Sequence, residues 1–204
     1  MTISAWFGLA LVCVLGAMSP GPSLVVMAKH SLSGGRLHGI AAAWAHALGV
    51  GVYAVLSLLG LAVVLKETPT LFNALAYAGA LYLAWLGFKS LRSKGGVADR
   101  IVSGEQSSIV EAVRDGAMIS VLNPKLALFF LALFSQFVAL GTDLSSRAII
   151  VVTPFVIDGL WYTLVAFALS STSILGRLQT HAVTIDRLSG VLLILLAIRV
   201  VIPW

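Results

Sequence analysis

An apolar run from Ala5 to Ala28 is interrupted by Ser19-Pro20-Gly21-Pro22-Ser23, and this interruption constrains the fold more than any other feature of the chain. Two prolines remove backbone donors, and the glycine permits unwinding where a helix would otherwise continue. A run this long and this apolar reads as a membrane span. At membrane depth, freed backbone groups are tolerated only where they face protein or a watery cavity. A second interruption, Asn123-Pro124-Lys125, lies inside a later apolar run and carries a charge. Paired breaks of this kind point to the binding site of a transporter.

Composition supports a membrane setting. Of 204 residues, 59% are hydrophobic and only 10% are charged; a soluble domain carries roughly a quarter charged residues. Six candidate spans emerge at about 4–28, 39–65, 69–91, 115–140, 147–173 and 187–204. The expected fold is therefore an all-α integral membrane protein with helices one and four broken. The chain reads as a single transmembrane domain, 1–204, with halves 1–91 and 115–204 joined by the hydrophilic linker 92–114. Three helices per half force the halves into opposite orientations, which predicts two inverted three-helix repeats. Both breaks fall nearer the cytoplasmic side by residue count, whereas strict inversion would mirror their depths. An earlier start of helix four, in the amphipathic stretch Ser108–Asp115, would partly remove that conflict. The segment Ala17-Met18-Ser19 resembles a signal-peptide cleavage site, but no positive region precedes it and Pro20 follows, so a retained first helix is expected.

Orientation follows from lysine and arginine. One set of loops and flanks holds nine of them: Lys29, Arg36, Lys89, Arg92, Lys94, Arg100, Arg114, Arg177 and Arg187. The opposite side holds Lys66 and Arg147. The positive-inside rule then places both termini outside. The net charge of +5 is thus a topology signal rather than a nucleic-acid footprint. One cysteine, Cys13, and four histidines without ligand-like spacing call for no disulfide, metal or cofactor. Small residues Ala43, Ala47 and Gly51 at four-residue spacing fit close helix packing, with a homodimer contact as the alternative.

Four ionisable residues lie well within the spans: His46, Lys125, Asp158 and Arg199. Groups at such depth mark ion or proton paths far more often than chance. Asp158 falls near the middle of helix five, where it can carry a proton or bind a substrate ammonium; an ion pair with Arg199 or Lys125 is the structural alternative. Lys125, beside broken-helix amides, suits a carboxylate; otherwise it would have to snorkel over about 13 Å. Arg199, close to Trp204, reads as snorkelling to the outer interface or pairing with Asp158. His46 reads as a packing residue, with a proton-relay role open because imidazole titrates near neutral pH. Trp161 and Tyr162, one turn beyond Asp158, read by default as packing and otherwise as pocket lining.

Taken in order, Ser19-Pro20-Gly21-Pro22, Gly34-Gly35-Arg36, Gly39, Gly60-Leu61, Asn123-Pro124-Lys125, Phe129-Phe130 and Gln136-Phe137-Val138 resemble the lysine/threonine exporter (LysE-type) family over essentially the whole chain. The resemblance implies efflux of amino acids or close derivatives across the bacterial inner membrane, energised by the proton gradient. Carried over by position, Pro20, Gly21 and Pro22 match one signature, Asn123, Pro124 and Lys125 another, and Asp158 a position where members often have an acidic residue. With Ser19 and Ser23 these form the expected binding site, Asp158 taking the substrate ammonium or the coupling proton, with His46 as a second candidate for the proton. Two departures stand out: Ser23 where members frequently have Asn or Asp, and Ser135 where they often have proline. The competing expectations are a passive channel or a structural membrane subunit. A membrane-embedded enzyme ranks lower, because no nucleophile–base pair or ligand set is evident.

Overall fold

The computed structural model describes residues 1–19, 21–92, 108–141 and 143–169, together with helical positions 183–184, 187–188, 190–191, 193–195, 197–198 and 201. Pro20, Arg199 and Trp204 lie outside these described residues, as does most of the linker. The chain forms α1 (Ile3–Met18), α2 (Pro22–Ser33), α3 (Arg36–Glu67), α4 (Pro69–Leu91), α5 (Ile109–Leu122), α6 (Pro124–Phe137) and α7 (Leu144–Leu169). A 3-10 turn, Val138–Leu140, extends α6.

Both expected breaks are present. α1 and α2 are bent by 64°, and α5 and α6 by 57°. Prolines open α2 and α6, where a missing N–H costs nothing. Three helices, Arg36–Leu61, Pro69–Lys89 and Leu144–Leu169, are each long and apolar enough to cross a membrane, and the count rises to five if each bent pair is one span. The sixth candidate, 187–204, falls largely outside the described residues. The last part of the expected linker is helix: Ser108 and Glu111 form a reciprocal capping box that starts α5 six residues before the 115 boundary. Gly35, at φ 80°, turns the chain from α2 into α3 in a conformation other residues disfavour.

The helices bury small residues and turn large ones outward. On α3, Ala43, Ala47, Val50 and Ala54 are buried, while Leu48, Val52, Leu56, Leu59 and Val63 are exposed. That inversion suits a lipid surround, where close helix approach rather than water exclusion holds the bundle. The small-residue face of α3 is spent on packing within the chain, chiefly against α5 and α7. At Gly116 of α5, a Cβ would lie 2.3 Å from the Ala42 carbonyl oxygen. Gly116→Ala must therefore push α3 and α5 apart, at about 1–3 kcal/mol. The expected readout is a fall of several degrees in the apparent melting temperature in detergent; unchanged melting would refute this packing.

Two apolar clusters stack along the bundle. Leu9, Val12, Cys13, Val50, Phe129 and Phe130 belong to one. Met27, Ala28, Ala42, Ala43, Ala112 and Tyr162 belong to the other. The breaks lie at the level where the two clusters meet, because α1 and α6 feed the first while α2 and α5 feed the second.

At the start of α7, Asp143 accepts from the Ser146 amide at 2.8 Å and from the Ser146 hydroxyl at 2.7 Å, and also from the Ser145 hydroxyl. The Ser145 hydroxyl, then the Ser146 groups, hold its carboxyl well below the ordinary value of 3.8. A carboxyl depressed on folding adds stability above its unfolded pKa, and that stability is lost as pH falls through the lower, folded value. Wild-type melting is therefore expected to drop below about pH 4 more steeply than that of Asp143→Asn. Identical acid profiles would overturn this.

Candidate functional site

Between the two apolar clusters lies a buried polar layer of Ser19, Ser23, His46, Asn123 and Asp158. It exists because each break leaves backbone unpaired and each facing helix supplies a polar residue at the same level. α3 brings His46, between Ala43 and Val50; α7 brings Asp158, between Ile150 and Tyr162.

The two breaks are tied directly to each other. Asn123 Nδ2 donates to Ser23 Oγ at 3.1 Å, and its Oδ1 accepts the Lys125 amide at 3.0 Å, capping α6. Lys125 Nζ donates to the Ser19 carbonyl at 2.5 Å, at the C-terminal end of α1. Lys125 thus reaches across the bundle rather than out to the interface, so snorkelling does not describe it. The N-terminus of α2, at Gly21, has no side-chain cap. It therefore presents uncompensated positive backbone dipole beside the Lys125 ammonium.

Asp158 is 6% exposed and pairs with His46, itself 1% exposed, through Nδ1 to Oδ2 at 2.7 Å. The expected alternative partner Lys125 bonds Ser19 instead, and Arg199 lies outside the described residues. His46 is thus more than the packing residue expected of a lone histidine. Its Nε2 stands 2.9 Å from Ser23 Oγ, which continues the chain to Asn123. With the imidazole neutral and Nδ1 protonated, Ser23 donates to Nε2. With the ring doubly protonated, Nε2 donates and the Ser23 hydroxyl hydrogen must turn elsewhere.

Tyr162, left by default to packing, is buried edge-on against the His46 ring at 5.3 Å between centroids. Pro154, inside α7 and one turn before Asp158, is a site residue missed in sequence. Thr153-Pro154 inside an apolar run was the available signal, since a mid-helix proline leaves the carbonyl four residues earlier without its partner. Ser135 bonds its own helix, to the Ala132 carbonyl at 2.7 Å, and takes no part.

These groups face a cavity with about 30 Å³ of room for water centres, enough for roughly two waters. Cys13, Gly16, Val50, Phe129, Phe130 and Pro154 form its apolar side. Among the described residues, no group of three or more His, Cys, Asp or Glu is placed to hold a metal ion.

A multi-pass helical bundle whose broken helices meet at a buried layer with one ammonium and one carboxylate belongs to the class of membrane transport proteins. The family model described as LysE type translocator matches residues 14–203, and the chain belongs to that family. It is similar to a threonine efflux protein of Salmonella typhi, 27% identical over 190 residues and 92% of each chain. It is also similar to a homoserine/homoserine lactone efflux protein of Salmonella typhimurium, 30% identical over 159 residues, 78% of this chain and 77% of the relative. A leucine efflux protein of Klebsiella pneumoniae is 35% identical over 123 residues, 58% of this chain and 56% of the relative. No solved structure matches.

Proposed function

We propose that this protein exports an amino acid or close derivative across the bacterial inner membrane in exchange for a proton. The observation that carries the reading is the buried layer itself, where Lys125 and Asp158 line one cavity with the ends of two broken helices. The efflux names of its relatives agree with it. In this mechanism Lys125 and the half-helix amides of Gly21–Ser23 take the substrate carboxylate. The Asp158–His46 pair takes either the substrate ammonium or a proton. With a proton the pair is neutral overall and no longer attracts an ammonium; without it the pair carries one negative charge and does. Substrate and proton therefore displace each other, and exchange is obligatory. Ser19, Pro22, Asn123 and Pro124 hold the breaks in place.

The topology proposed with it has six spans in two inverted halves, 1–91 and 115–204, forming one domain with both termini outside. An inverted repeat keeps chain order and so pairs α1 (16 residues) with α5 (14), and α2 (12) with α6 (14 plus its 3-10 turn); the paired lengths are comparable.

Purified protein in liposomes, given labelled amino acids and an imposed pH gradient, tests the function. Gradient-dependent movement of one class is expected. Movement indifferent to the gradient would refute proton exchange and favour a channel or amino-acid exchange. No movement of any amino acid would overturn the exporter reading.

A further inference from the structure

The cavity is amphipathic, and its apolar wall has no task in the mechanism above. Among the described lining residues, Lys125 and Asp158 carry the fixed charges, and a bound zwitterion engages both. The polar lining groups His46, Ser23 and Asn123 are bonded to one another and to Asp158, and the opposite, apolar wall offers Cys13, Gly16, Val50, Leu126, Phe129 and Phe130. A third charge on the substrate would face that wall unpaired, and a buried unpaired charge is strongly disfavoured. An apolar side chain would meet surfaces of its own kind.

The aromatic part of the wall is built to a definite position. Phe129 lies against the last turn of α1, so closely that a Cβ on Gly16 would stand 2.4 Å from its ring carbon Cζ. From the other side Phe130 holds Phe129 edge-on at 5.7 Å, and Phe130 in turn stacks on Tyr53 at 6.3 Å. The ring therefore fills the notch left by the missing Gly16 side chain and closes that end of the cavity. The space that remains holds about two waters, so a substrate side chain enters it only as the ring shifts.

We propose that this exporter selects amino acids with apolar, aliphatic side chains, and that Phe129 seated on Gly16 sets the length it accepts. The inference rests on the reading of the cavity as a zwitterion site. In proteoliposomes, leucine and methionine are expected to compete for transport at least about tenfold better than lysine or glutamate. Phe129→Ala is expected to raise the phenylalanine-to-leucine rate ratio by about tenfold. Phe129→Leu, a milder change, covers the case in which the alanine variant fails to fold. A second readout needs no transport: leucine, but not lysine, should raise the apparent melting temperature of the purified protein in detergent. Lysine or glutamate matching leucine in both assays would overturn the selectivity while leaving amino-acid export intact. An unchanged phenylalanine-to-leucine ratio in the folded Phe129 variants would overturn the role of the ring. If no amino acid moves and none stabilises the folded protein, the exporter reading falls, and this inference with it.

Discussion

Asp158→Asn protein in liposomes is expected to lose gradient-driven efflux by about a hundredfold or more, and its residual movement should no longer respond to pH. Asparagine keeps the shape of the side chain and can still accept from His46 Nδ1, so the bundle should assemble. What goes is the negative charge for which substrate ammonium and proton compete. Truncating one partner of a buried, hydrogen-bonded charge pair at a binding site costs about 2–5 kcal/mol of binding, and each 1.4 kcal/mol is about a factor of ten. The comparison is of initial rates with and without a pH gradient, at matched incorporation of the two proteins. Wild-type, gradient-sensitive rates in the variant would remove the central element of the mechanism.

Lys125→Met should act on recognition instead. The substitution keeps most of the length of the side chain and removes the ammonium that now donates to the Ser19 carbonyl at 2.5 Å. Hydrogen bonds to charged groups contribute about 1.5–3 kcal/mol, so the apparent KM should rise by roughly 10- to 100-fold. A carboxylate role makes a sharper demand. Wild type should favour an amino acid over the amine that lacks its carboxylate, and the variant should lose that preference. Equal weakening toward acid and amine would instead assign Lys125 to holding α1 against α6.

Much of this architecture is legible along the chain, because membrane spans and helix breaks are local properties. Ser19–Ser23 and Asn123–Lys125 announce themselves by proline and glycine inside apolar runs, and α4 occupies the expected 69–91. The earlier start of α5 is also local, since Ser108 and Glu111 carry the capping box in their own spacing. Asp158, His46 and Lys125 are conspicuous because charge and imidazole are costly at such depth. Their partners are not conspicuous at all. Asp158 is 112 positions from His46, and Lys125 is 106 from Ser19. Nothing in the spacing prefers His46 over Arg199 or Lys125 as the partner of Asp158.

From the sequence alone follow the membrane setting, the two breaks and the set of polar residues that must avoid lipid, for each depends on the cost of placing a short segment in hydrocarbon. Only the tertiary structure decides that both breaks meet at one level, that Ser23 and Asn123 join them, and that Phe129 rests on Gly16. Those outcomes depend on how closely helices distant in the chain approach one another, and Ala42 against Gly116 sets that approach through contacts no single segment contains.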